Sequence, residues 1–214
     1  MTQQHDTRVP ASPERDHWNE RYAAKEFIWS VQANAFLVAE TTDLPAGRAL
    51  DLAAGEGRNA IWLAERGWQV RAVDFSEIAA EKGQRLAESR GVGERVEFEV
   101  ADLRVYTPPA ASFDLVILMY LHLPHDALFP VLARAADAVA PGGTFLLLGH
   151  DASNLEHGHG GPQNPAVLYT PEQIVGTLGD RLEIEQAGVF DRPVDTPAGT
   201  RIAKDCLVRA RRAD

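Results

Sequence analysis

Asp51, Gly55, Gly57 and Asp74 lie in one stretch, LDLAAGEGRNAIWLAERGWQVRAVDFS, from Leu50 to Ser76. Each aspartate closes a short apolar run, and the glycines follow the first. Glycine lets the backbone turn tightly and approach a ligand with no Cβ in the way. Asp74 can accept both hydroxyls of an adenosine ribose, and Phe75 beside it can cover an adenine face. Asp102 follows Ala101 at the end of a third apolar run and can accept from the exocyclic amine of adenine. These features together describe an adenosine pocket.

Two cofactors fit that pocket. GEGRNA satisfies the dinucleotide fingerprint G-x-G-x-x-G/A, with an acidic residue at about the right distance. S-adenosylmethionine fits better on two counts. Asp51 stands at the entrance to the glycine loop, where it repels a pyrophosphate and attracts a methionine ammonium. The Ala101-Asp102 pair is not something a dinucleotide site requires. A cofactor whose ammonium and sulfonium are both positive suits an acidic pocket.

Other candidates follow the later apolar runs. His122 and His150 are each placed to act as a general base. His157 and His159, near His150 and Asp151, raise the question of a metal, but His-x-His alone is a weak motif and no metal is expected. Gly158, Gly160 and Gly161 suit the hinges of a substrate-side lid instead.

The elements that must position these residues alternate in texture. RALDLA, WQVRAVD, RVEFEVAD, SFDLVILMY and TFLLLGH read as strands, the last two buried on both faces because they are continuously apolar. RNAIWLAERG, EIAAEKGQRLAESRG, PHDALFPVLARAADAVA and TPEQIVGTLGD read as helices. Ser76 can cap the second of these, and Thr170, Pro171 and Gln173 spell a capping box before the last. The expected pattern is five βα repeats and then two late strands, LEIEQAGVF and TRIAKDCLVRARR. The fold class is α/β: a Rossmann-like, doubly wound, mainly parallel seven-stranded sheet with helices on both faces and an antiparallel C-terminal strand. Residues 1–14 are expected to be a flexible lead-in and 15–214 a single domain, with a helical lid over 15–45 and a substrate-side loop over 150–169.

Composition narrows the function classes. The 214 residues carry a formal net charge of -10, which argues against a nucleic-acid partner. The basic run Arg209, Arg211 and Arg212 reads as a solvated tail. No apolar run is long enough to span a membrane, and the N-terminus lacks a secretory h-region. One cysteine, Cys206, rules out an intrachain disulfide. The default is a soluble, cytoplasmic protein; oligomeric state is not readable.

LDLAAGEGRNAIWLAERGWQVRAVDFS, VADL and FDLVILMYLHLP resemble the motifs of class I S-adenosylmethionine-dependent methyltransferases. The EGRNA form and the N-terminal WNERYAAKEFIW are similar to the small-molecule enzymes of the tellurite-resistance and thiopurine type. The resemblance covers about residues 15–150. It implies S-adenosylmethionine as cofactor, with Asp51, Gly55 and Gly57 at its methionine end and Arg58 and Asn59 opening the first sheet-flanking helix. It implies Asp74 at the ribose and Phe75, Ala101, Asp102 and Leu103 around adenine. The main chain at Leu118 and Met119 would accept from the ammonium, and Arg21 and Trp29 would close over the cofactor. Ala53 departs from the family, which usually has glycine there; alanine is tolerated at negative φ. The implied activity is methyl transfer to a small-molecule acceptor. A nicotinamide-dependent oxidoreductase and a non-catalytic nucleoside-binding module are the competing readings.

Overall fold

The computed structural model describes residues 12–214. The chain divides into two compact units, one up to Tyr106 and one from Thr107 on. The expectation of a flexible lead over residues 1–14 falls mostly outside the described residues. Within them, the side chain of Ser12 accepts from the Arg15 N–H and caps a helix, α1 (Pro13–Ala23), so the helix starts earlier than the composition suggested. Glu26 to Trp29 lie beyond its end, within the 15–45 stretch expected to be helical.

The first unit continues with α2 (Ala35–Thr41), β1 (Arg48–Leu52), α3 (Arg58–Glu65), β2 (Gln69–Asp74), α4 (Glu77–Ser89) and β3 (Val96–Val100). Its strands are parallel, with Asp51 opposite Ala72 and Asp74 opposite Val100. Parallel strands need crossovers, and α3 and α4 supply them. Ser76 caps α4 by accepting from the Ala79 N–H at 3.1 Å, as its position promised. The consequence of this register is that the strand ends carrying Asp51, Asp74 and Ala101-Asp102 face the same way, where ligands of open α/β sheets bind.

The second unit holds β4 (Phe113–Met119), α5 (His125–Ala138), β5 (Val139–His150), α6 (Asn154–His157), α7 (Pro171–Leu178), β6 (Glu183–Thr196) and β7 (Gly199–Arg211). β4 and β5 pair in parallel, while β7 runs antiparallel to both β5 and β6. The inner stretches of β4 and β5 are buried without alternation, as strands covered on both faces must be. Pro193 sits in β6, which is the last strand in the order, where a missing N–H costs no ladder bond. The capping box at Thr170 and Gln173 is formed.

The strand order of the seven-stranded mixed sheet is β3-β2-β1-β4-β5-β7-β6. Two details differ from the sequence reading. Residues 101–112 contain turns but no helix, which interrupts the regular alternation. Pro141, Gly142 and Gly143, which follow the stretch PHDALFPVLARAADAVA read as a helix, lie inside β5, whose register on β4 jumps between the Phe113 and Leu115 pairs. Gly142, at φ +70°, turns the chain within that irregularity.

Candidate active site

Asp51 reaches the end of β1 with no exposed surface. Neither of its carboxylate oxygens has a hydrogen-bond partner among the described residues. The Ala60 N–H lies near enough to ease the charge without making a hydrogen bond of normal geometry. Burial first, and then the neighbouring Asp74, push its pKa up to about 8, against the opposing pull of Arg58. A carboxylate held this way is stabilised by a cation.

Asp74 plays a different part. Its Oδ2 accepts from the Gly55 N–H at 2.8 Å and its Oδ1 from the Ser76 N–H at 3.0 Å. Burial raises its pKa to about 6, partly offset by these bonds. It therefore ties the glycine loop to the start of α4. In that loop Ala53, Gly55 and Gly57 all have positive φ, at 62°, 57° and 75°. The negative φ at which alanine would be tolerated there is not adopted. The turn needs a left-handed residue there, and alanine takes the strained conformation. A Cβ on Gly55 would come within 2.9 Å of the Tyr22 hydroxyl, and one on Gly57 within 2.5 Å of the Phe98 ring. A Cβ on Gly83 of α4 would meet the same ring at 2.4 Å, so Phe98 wedges between the loop and the helix.

The N-terminal segment is clasped from inside this loop. Glu56, nearly buried, accepts from the Ile28 N–H at 2.9 Å and more weakly from Trp29 at 3.5 Å. Lys82 pairs with the same carboxylate at 3.4 Å and also donates to the Tyr22 and Lys25 carbonyls. Sequence reasoning missed both residues. Glu56 between the two glycines was the available signal, a charge in a loop that has to come close to its surroundings. Arg21 lies over the Trp18 ring at 4.4 Å and reaches toward Trp29 at 6.0 Å, and Trp29 is itself 47% exposed.

On the remaining edge, the Ala101 N–H donates to the Asp74 carbonyl at 2.9 Å, and Leu103 is buried while Phe75 is partly so. The carboxylate of Asp102 is gripped by Arg104, at 2.6 Å from Nη2 and 3.0 Å from Nε, which holds it below the usual carboxylate range. Asn59 does not point its acceptor into open space. Its Oδ1 accepts from the Asn34 N–H at 3.0 Å, where Asn34 caps α2.

The second unit gathers a separate polar cluster at the ends of β4 and β5. Leu118 and Met119 are buried on β4, and Tyr120 follows at φ 62°. Such a conformation in a tyrosine is strained and persists where surroundings enforce it. The Tyr120 hydroxyl donates to Asp205 Oδ2 at 2.7 Å, and Arg192 Nε reaches the same oxygen at 2.5 Å. Asp205 is fully buried on β7. His150 Nδ1 stands 3.4 Å from Asp205 Oδ1, and the His122 ring stacks on His150 with centroids 5.4 Å apart. Tyr120, Arg192 and Asp205 were not singled out from the sequence, because only the β-pairing brings 120, 192 and 205 together. Among the described residues no group of three or more His, Cys, Asp and Glu side chains could hold a metal ion. No described helix is long and apolar enough to cross a membrane.

An unpartnered buried carboxylate at the glycine loop and a second carboxylate at the next strand end fit the cationic nucleoside anticipated from the sequence. The family comparison agrees: residues 49–143 match the model described as a methyltransferase domain. Residues 49–143 are thus similar to a methyltransferase domain, and S-adenosylmethionine is the cofactor that this similarity implies.

Among its relatives is a probable chloroplastic tocopherol O-methyltransferase of Oryza sativa subsp. japonica, 31% identical over 110 residues, which are 50% of this chain and 30% of that protein. Another is a tRNA (uracil(54)-C(5))-methyltransferase of Pyrococcus abyssi, 32% identical over 142 residues, 58% of this chain and 33% of that one. The chain thus spans about a third of the length of these relatives, 30% and 33%. The structure of TehB from Haemophilus influenzae superimposes with a TM-score of 0.70 at 14% identity, covering 93% of this chain and 67% of that one. At that identity the likeness is one of fold.

Proposed function

We propose that this chain is an S-adenosylmethionine-dependent methyltransferase whose acceptor is a small molecule. The observation that carries the reading is Asp51, a fully buried carboxylate with both oxygens open at the mouth of the glycine loop. A methionine ammonium satisfies it, whereas the pyrophosphate of a dinucleotide would be repelled. Asp74 keeps lone pairs beyond those that bind the Gly55 and Ser76 N–H groups, enough for ribose hydroxyls. Phe75, Ala101, Leu103 and Asp102 frame adenine, with Asp102 sharing or releasing Arg104. Gly55 and Gly57 let the backbone approach, and Ala53 and Asn59 hold the loop and the helix behind it. The main chain at Leu118 and Met119 belongs to the same reading, as does closure by Arg21 and Trp29.

Bound there, S-adenosylmethionine supplies a sulfonium-borne methyl group, and the protein's task is to align the acceptor and exclude water. A thiolate acceptor needs no base. A hydroxyl or an ammonium needs one, and His122 and His150 are the imidazoles available beside the strand ends. The net charge of -10 opposes a polyanionic acceptor and supports a small molecule. The tocopherol enzyme among the relatives supports it too, while the tRNA enzyme marks the rival. The free buried thiol of Cys206 fits a reducing cytoplasm.

Titration calorimetry with S-adenosylmethionine and with NADH tests the cofactor. Binding of the former is expected, weakened by about 1–3 kcal/mol in Asp74→Ala. NADH binding alone would instead make the chain an oxidoreductase. Transfer of a labelled methyl group into a low-molecular-weight extract, and not into tRNA, tests the acceptor. Label in tRNA alone overturns the small-molecule half, and no transfer to any acceptor leaves a binding module.

A further inference from the structure

The two imidazoles beside β4 and β5 are not equivalent. His122 Nε2 accepts from the His150 main-chain N–H at 3.3 Å, and a second hydrogen bond ties its ring to the Tyr120 main chain. The ring is flanked by His150 and by Tyr169, whose centroid lies 6.1 Å away in a stacked arrangement. The Nε2 lone pair of His122 is therefore already engaged inside the protein. Burial, and then the His150 ring, push its pKa down to about 3.

His150 has the opposite surroundings. Its Nδ1 makes no hydrogen bond among the described residues and faces Asp205 Oδ1 at 3.4 Å. Asp205 cannot drift, because the Tyr120 hydroxyl and the Arg192 guanidinium hold its other oxygen at 2.7 and 2.5 Å. The groups facing the His150 ring are Tyr120 and His122 after β4, Arg192 on β6 and Asp205 on β7. Against one side of the ring lies Gly161, at φ +75°, where a Cβ would come within 2.8 Å of His150 atoms. Part of the long segment after β5 thus lies against this imidazole through Gly161, while Tyr169 at the end of that segment stacks on His122.

We propose that His150, rather than His122, is the base that takes the acceptor's proton, and that Asp205 is its positioning residue. The proposal rests on the methyltransferase reading and narrows the acceptor to one with an O–H or N–H at the methylated atom. The electron pair of that bond stays on the acceptor heteroatom and forms the new bond to the methyl carbon. The departing sulfur keeps the C–S pair, and the proton goes to Nε2 of His150. The resulting imidazolium carries its second N–H on Nδ1, against the Asp205 carboxylate. Burial and Arg192 keep the resting ring neutral, against the pull of Asp205, so Nε2 is free to accept. The charge of Asp205, 3.4 Å from Nδ1, favours the tautomer with its proton there, the part a buried carboxylate takes in a Ser-His-Asp arrangement.

The test uses the full chain labelled with 15N at histidine, with no cofactor or acceptor added. Long-range proton–nitrogen spectra from pH 5 to 8 are expected to show His150, assigned by its absence in His150→Gln, with the proton on Nδ1. Asp205→Asn is expected to shift the His150 nitrogens and leave those of His122 in place. Diethyl pyrocarbonate followed by peptide mass analysis gives a second readout on the wild type alone. Modification of His150 with His122 spared is expected, with the exposed His157 as the positive control. A His150 proton on Nε2, or modification of His122 in place of His150, would overturn the proposal whether or not Asp205→Asn folds. None of these readouts depends on methyl transfer, so they can fail while S-adenosylmethionine still binds, and the reverse.

Discussion

Strain at a single residue is concentrated where the glycine loop turns. Ala53 holds φ 62°, a conformation that costs an L-residue roughly 1–2 kcal/mol. Glycine removes that cost and adds about 0.5–1 kcal/mol of chain entropy to be lost on folding. Ala53→Gly is therefore expected to stabilise the protein by about 0.5–1 kcal/mol, a rise in Tm of roughly 1–4 °C for a domain of this size. Calorimetric melting measures it directly. An unchanged or lower midpoint would mean that contacts of the methyl group repay the strain. Tyr120 shares the conformation at φ 62°, but its hydroxyl is bonded to Asp205, so the same substitution there would remove that hydrogen bond along with the strain.

Among the elements, the connection between α1 and α2 depends on one charge. Its main chain donates to Glu56 through Ile28 and Trp29 and accepts from Lys82 through Lys25, and Lys82 donates also to Tyr22 in the last turn of α1. Glu56 and Lys82 are both largely removed from water, so the carboxylate's negative charge matters as well as its shape. Glu56→Gln keeps an acceptor and loses the charge. It is expected to speed amide exchange at Ile28 roughly tenfold or more, the effect of losing about 1–3 kcal/mol of local protection. The strands are expected to keep their protection. Unaltered exchange at Ile28 would show that the segment is held by the packing of Tyr22 instead. Loosening this connection should also release Arg21 and Trp29, so the same variant reads their contribution to cofactor affinity.

Over the whole molecule, the buried carboxylates make stability depend on pH. Asp51 and Asp74 have folded-state pKa values raised to about 8 and about 6, first of all by burial. A raised acid binds its proton more tightly folded than unfolded. Its contribution is complete below the unfolded value near 4 and is lost as pH rises through the folded one. His122, lowered to about 3, acts in the opposite sense but only below its unfolded value near 6.5. The window from pH 6.5 to 8 therefore isolates Asp51. Without cofactor the protein is expected to lose about 1–2 kcal/mol across it, and Asp51→Asn to flatten the loss. Melting at the two pH values, for both proteins, provides the check. A wild type whose Tm does not fall would mean that Asp51 is already ionised and balanced.

The sequence by itself determined the strand and helix identities, the caps at Ser76 and Thr170 and the placing of Asp51, Gly55, Gly57 and Asp74. All of these follow from spacing within about thirty residues. Local periodicity and cap chemistry act over that range, and parallel strands joined by helices bring successive strand ends to one edge without further information. The tertiary structure decided what each carboxylate does. Asp51 is orphaned while Asp74 ties the loop, although both are aspartates at strand ends, because donors in normal hydrogen-bond geometry reach only the second. It also decided that Asp102 meets Arg104 and that Asn59 supports α2. The grouping of Tyr120, His150, Arg192 and Asp205 depends on the register of β5, β6 and β7. That register is fixed by which faces of distant strands are buried together, and no local pattern contains it.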